Sequence, residues 1–138
     1  MRTNSDVTIY NKYTDPVTRS EKYQRTQIFK VAWESRKAAN VIKSGGYIEV
    51  DHAAIYIPWA RGANYLKPVA WQALSVKTGK WTLQQGDFIV RGLISDEISD
   101  AFTITALAAK YDDVFTLSSI DLMDQGSVAL WHWQVGAG

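Results

Sequence analysis

The chain has 138 residues and a formal charge of +1 from 15 cations and 14 anions, which bounds it to one domain, residues 1–138, and gives no basic surplus of the kind that carries duplex DNA binding. It contains no cysteine, so disulfide staples, thiolate zinc sites and cysteine nucleophiles are excluded together. The excess lies in six Trp and seven Tyr, flat residues with a polar tip that are favoured where surface becomes interface. Met1-Arg2-Thr3-Asn4-Ser5-Asp6 lacks an apolar signal-type core, and no run of ~18 apolar residues occurs, so a soluble protein without an export signal is expected.

Val7-Thr8-Ile9-Tyr10-Asn11 alternates apolar with polar and predicts a first strand, leaving through the polar, proline-marked turn up to Asp15-Pro16. The run from Tyr23 to Trp33 predicts a second, with Tyr23, Arg25, Gln27, Phe29, Val31 and Trp33 on one face and Gln24, Thr26, Ile28, Lys30 and Ala32 on the other. Ser35-Arg36-Lys37 carries charge to a sheet rim, and Asn40-Val41-Ile42-Lys43 returns as a short strand or irregular arm before Gly45-Gly46. From there to Pro58 the sequence predicts a central strand, in which Ala53, Ile55 and Ile57 oppose Ala54, Tyr56 and Pro58.

Trp59 to Pro68 follows as a flexible loop bearing exposed-type aromatics and two cations, a place for contact delivered by a sturdy strand. Val69 to Leu74 is too short for periodicity to decide between a strand and a helical turn. Lys77-Thr78-Gly79-Lys80 is a turn. Trp81-Thr82-Leu83 leads into a second strong strand between Gly86 and Ile94, with Gly92 a candidate bulge. The Ala- and Leu-rich stretch Thr105 to Tyr111 predicts one short helix, stopped by Asp112-Asp113. Val114 to Leu122 and Val128 to Val135, joined through Gln125-Gly126, predict the clearest hairpin. The expected fold is mainly β, an antiparallel barrel or sandwich of about seven strands with one short helix and long loops.

No catalytic, cofactor or metal residues are assigned. Asp51 and His52 point to opposite faces of a strand and cannot act together on one group. His132 sits between Trp131 and Trp133, and two histidines with Asp51 or Asp87 match no zinc spacing. Asp87 is expected to accept backbone N–H bonds and fix its turn. Gly45-Gly46 lacks the helix and Lys-Ser/Thr of a phosphate cradle, and no nucleophile elbow exists. Partner-contact candidates are therefore Trp59, Arg61, Asn64, Tyr65 and Lys67. Such a loop on a small barrel also suits stacking on single-stranded nucleic acid or carbohydrate, the more distant alternative.

Several stretches together resemble the head-to-tail connector family of tailed bacteriophages, most closely its head-closure (stopper) proteins: Val7 to Lys12, the Tyr23-Gln24-Arg25-Thr26 strand ending at Trp33, Ile55-Tyr56-Ile57-Pro58, Gly86 to Gly92, and His132-Trp133-Gln134-Val135-Gly136. The resemblance implies a β barrel that assembles in the host cytoplasm as a ring, by analogy a hexamer, in the virion neck. There it would seal the portal channel after packaging and dock the tail. Implied partners are further copies of itself, the adaptor and portal above, and a tail terminator or tail tube below, with packaged DNA passing through without sequence-specific binding. Neither cofactor nor membrane is implied. Tail terminator and minor capsid protein are the neighbouring alternatives.

Overall fold

The computed structural model describes residues 3–41 and 47–138. Strands β1 (Ser5–Thr14), β2 (Glu21–Val41), β3 (Tyr47–Pro58), β4 (Phe88–Arg91), β5 (Val114–Met123) and β6 (His132–Ala137) close into an antiparallel barrel in the order β1-β2-β3-β6-β5-β4. Closure hides the backbone donors and acceptors that an open sheet would leave at its edges. The barrel has six strands where about seven were expected, because the Tyr23 and Asn40 segments are parts of one long β2, and Trp81 contributes only an isolated bridge to Tyr65. Gly45-Gly46 and Ile42-Lys43 lie outside the described residues.

Alternation in β3 and β6 runs as the sequence predicts: Ala53, Ile55 and Ile57 meet Trp133, Val135 and Ala137 inside the barrel, with Ile9, Ile89 and Leu117 across from them. Fully burying one such Ile or Leu side chain contributes about 1.5–3 kcal/mol. In β2 the expected single alternation fails. Val7 pairs with Ile28, but Ser5, two residues back, pairs with Val31, three residues on. The extra residue is a bulge with Lys30 at φ 56°, and its amide donates to Asp6 Oδ1 at 2.9 Å. Ile28 and Val31 therefore both face inward, and Phe29, expected beside Val31, is 52% exposed.

A second apolar layer covers the outside of the β1–β4 wall. Tyr10 and Val90 point outward there, under Ile94, Phe102 and Leu107. Helix α2 (Ile104–Lys110) holds this layer, capped at its start by the Thr103 hydroxyl, which accepts from the Ala106 amide at 3.3 Å. It matches the predicted Thr105 to Tyr111 helix to within a residue. The undecided Val69 to Leu74 stretch is a helical turn, α1 (Pro68–Gln72), because Pro68 at its first position presets the backbone and Trp71 is buried. The last strand is shorter than predicted: Val128–Leu130 form a 3₁₀ turn, and β6 begins only at His132. Gly92 carries φ 105° at the end of β4, where its amide donates to Asp6 O at 2.7 Å.

One part of the sheet leaves the barrel. β2 pairs with β3 from Ala32–Tyr56 out to Val41–Tyr47, whereas β6 pairs with β3 only from Pro58 to Ala53. Beyond Ala53 the β2–β3 ladder continues as a two-stranded arm, with a reach of about 20 Å at ~3.3 Å per residue. Among the described residues no helix is long and apolar enough to cross a membrane.

Candidate partner-contact site

Where β3 ends at Pro58, the chain turns into a 3₁₀ segment, Trp59–Asn64, seated on the opposite end of the barrel from the arm. It is bolted there by aromatic packing. Trp59 stacks on Trp133 with ring centroids 4.9 Å apart and planes 25° apart, and meets Trp131 edge-on at 5.5 Å. Tyr65 lies 4.7 Å from Trp133 and 5.0 Å from Trp81. The Trp59 amide donates to Trp131 O at 2.9 Å. Gly62 allows this closeness, because a Cβ there would sit 2.5 Å from Trp133 Cη2. Burial pushes the Tyr65 phenol above its ordinary pKa.

This arrangement divides the five contact candidates. Tyr65 is half-buried and Trp59 is 37% exposed, so both spend most of their ring faces inside the molecule. The expected flexible loop is a packed cap. Arg61, Asn64 and Lys67 stay exposed. Arg61 and Asn64 line a cleft of about 220 Å³ together with Phe29 and Trp81. Asn64 Oδ1 accepts from Lys80 Nζ at 3.3 Å, and Asn64 O accepts from the Trp81 amide at 3.1 Å. What such a surface can do is bind through charge and exposed ring edges.

Residues that sequence reasoning did not single out complete this end. Trp133 is the hub, and the alternation Trp133, Val135, Ala137 was the signal that it faces inward. Val128 and Leu130, expected within a strand, stand on the surface next to Trp131.

The residues weighed for chemistry stay apart. His52 and His132 lie at opposite ends of the β3–β6 ladder, and His132 packs against Tyr56 at 5.8 Å. The Asp51 side chain lies outside the described residues. Among the described residues no three His, Asp or Glu side chains converge as a metal cluster would require. Asp87 is buried and fixes its turn, as the sequence predicts: Oδ1 accepts from the Lys12 amide at 3.1 Å, and Oδ2 accepts from Asn11 Nδ2 at 2.9 Å and Gln84 Nε2 at 2.7 Å. Asn11 joins β1 to the Trp81–Leu83 segment, donating to Thr82 O and accepting from its amide. Burial raises the Asp87 pKa despite these donors.

The chain belongs to the family of unknown function DUF6751, whose profile matches residues 2–138. Comparison with curated proteins and with solved structures finds no match.

Proposed function

We propose that this member of DUF6751 is a structural protein of the bacteriophage neck, a head-closure ring that seals the portal channel after packaging and docks the tail. The sequence resemblance motivates the reading, and one structural observation carries it: a closed barrel from which the β2–β3 arm projects. No other described strand pairs with either outer edge of that arm. Open edges at the end of a lever about 20 Å long invite pairing with another chain. A contact of one surface with a different surface, repeated around an axis, closes into a ring. The packed Trp59–Asn64 cap at the other end supports the same reading, since it offers a second firm surface to a neighbour above or below. In this role the chain performs no reaction, binds no cofactor and holds DNA only by enclosing it.

Cryo-electron microscopy of the virion neck tests this. Density for the chain as a hexameric ring between adaptor and tail is expected. A position at the top of the tail makes it a tail terminator, a position on the shell makes it a minor capsid protein, and absence from the virion ends the proposal. The nucleic-acid alternative is addressed by single-stranded DNA titration of the isolated protein, where tight binding with a steep salt dependence replaces the neck reading.

A further inference from the structure

Charge is unevenly placed along this nearly neutral chain. Between His52 and Gly86 there is no Asp or Glu, but there are Arg61, Lys67, Lys77 and Lys80. From Tyr111 to Gly138 there is no Lys or Arg, but there are Asp112, Asp113, Asp121 and Asp124. The ion pairs among the described residues, Lys12–Glu21, Lys22–Asp15, Arg25–Glu97 and Lys110–Asp96, involve none of these eight. Arg61, Lys67, Asp121 and Asp124 are all exposed.

The fold brings Asp121 and Asp124 to the same end of the barrel as the basic segment, whereas Asp112 and Asp113 lie at the other end of β5. Pro58, which leads into the basic segment, pairs with His132, and His132 pairs with Met123 at the head of the β5–β6 connection. Trp59 against Trp131 fixes the two turns side by side. Each also exposes apolar side chains, Val128 at 56% and Leu130 at 62% on the acidic side, Val69 at 85% and Val76 at 70% on the basic side. Two adjacent surfaces of opposite charge, each with an apolar part and, among the described residues, neither joined to the other by an ion pair, are suited to be the halves of a heterologous contact.

We propose that the acidic β5–β6 tip of one copy, Asp121 to Leu130, docks on the basic segment 59–80 of the next copy. This rests on the ring reading and names the partner of the contact candidates Arg61 and Lys67. The arm-to-neighbour pairing is a separate contact at the other end of the barrel.

The test is a charge swap on the full chain, read by sedimentation equilibrium in low salt, where exposed charges are least screened. Asp121→Lys with Asp124→Lys makes the tip as basic as the segment it meets, and Arg61→Glu with Lys67→Glu reverses the 59–67 part of that segment, so that tip and 59–67 loop are both acidic. Each double variant alone is expected to self-associate at least about tenfold more weakly than wild type. Their mixture pairs opposite charges at every contact and is expected to recover wild-type strength. Circular dichroism confirms folding, since all four side chains are exposed and carry no ion pair among the described residues. Variants that associate like wild type, a mixture that does not recover, or a wild type that stays monomeric at every concentration overturns the proposal. So does a loss of single-stranded DNA binding in Arg61→Glu/Lys67→Glu without any change in self-association, which gives the surface to nucleic acid. A neck ring whose β5–β6 tip faces away from the neighbouring copy sinks the contact and leaves the ring reading intact.

Discussion

The barrel interior and the layer beneath α2 share the strands β1 and β4, yet they are held in different ways. Inside, every wall is a strand hydrogen-bonded on both sides, and Ile9, Ile55, Ile89 and Trp133 have no route to water that leaves the ladders intact. Outside, Tyr10, Val90 and Leu107 are covered by residues 92–111, which no strand ladder holds. That stretch is latched by side chains: Arg25 Nη1 donates to Ser95 O, Gln27 Nε2 to Ile94 O, and the Tyr10 and Tyr111 hydroxyls to Asp96. Both layers are well packed, but only one is enclosed by topology. The outer layer is therefore the one that can open by itself.

Breaking the interior has the largest expected effect. Trp133 is 2% exposed and touches Trp59, Tyr65 and Trp81, so Trp133→Ala is expected to cost about 3–5 kcal/mol, the range for deleting a buried aromatic. Gly62→Ala approaches the same site from the other side, forcing a Cβ into the Trp133 ring at a cost of about 1–3 kcal/mol. Urea denaturation measures both. A Trp133→Ala midpoint close to wild type would mean that the aromatic cap is an ornament on the barrel and not part of its core.

Breaking the outer layer is expected to act locally. Leu107→Ala removes the one fully buried side chain of α2 and is expected to cost about 2–3 kcal/mol, low in the range for such deletions because the half-exposed Phe102 and Tyr111 can settle into the space. Hydrogen exchange separates the layers. Amides of α2 and residues 92–102 should lose protection while β3 and β6 keep theirs, and equal loss in both would make the two layers one cooperative unit.

Interior alternation was readable from β3 and β6 because their inward positions in the barrel are all apolar and buried, while the outward ones, Ala54 apart, stay half-buried. The same logic failed in β2, where one added residue at Phe29-Lys30 exchanges the faces, and neither residue type announces a bulge. The outer layer was hidden for a related reason. Tyr10 and Val90 sit at outward positions of strands whose inward positions are also apolar, so the pattern shows a strand but not what covers it. At the candidate site, the exposed cations were legible from charge alone. Trp59 and Tyr65 were not placed, because whether an aromatic in a loop is displayed or packed depends on a neighbour distant in sequence, here Trp133. The arm's length was equally invisible, being set by where β6 stops.

Asp87 joins the loop before β4 to β1, at the end of the barrel wall that encloses the interior. Asp87→Asn places an amide donor where two side-chain donors converge and is expected to cost about 1–3 kcal/mol. The pH dependence has a definite sign. Burial raises the folded-state pKa above its ordinary 3.8, so the folded state binds the proton more tightly than the unfolded one. Asp87 therefore adds stability as pH falls through its folded pKa toward 3.8, and Asp87→Asn removes that gain. Asp15 has the opposite sign. Its carboxylate accepts from Lys22 and from the Thr18 and Val17 amides, which lower its pKa to about 2. Its contribution is complete above 3.8 and disappears as pH falls from there to about 2. Denaturation midpoints across this range should show two opposed slopes in wild type, and in Asp87→Asn only the slope of the Asp15 sign, to which Asp96 also contributes because hydrogen bonds from Tyr111 and Lys110 lower its pKa.

The smallest expected effect concerns the residue at which β2 changes faces. Lys30 holds φ 56°, a left-handed conformation that costs a residue with a Cβ about 1–2 kcal/mol. Glycine adopts it freely but loses more chain entropy on folding, about 0.5–1 kcal/mol in ordered structure. The difference predicts that Lys30→Gly stabilises the protein by about 0.5 kcal/mol or leaves it unchanged. The Lys30 side chain is exposed, and its amide bond to Asp6 is retained in the variant. Lys30→Pro is the contrasting control, since it deletes that amide and forbids the positive φ. If Lys30→Gly instead costs a kilocalorie or more, the bulge is held by the lysine stem and not by backbone geometry. The switch by which Ile28 and Val31 both enter the barrel while Phe29 leaves it would then belong to the side chain.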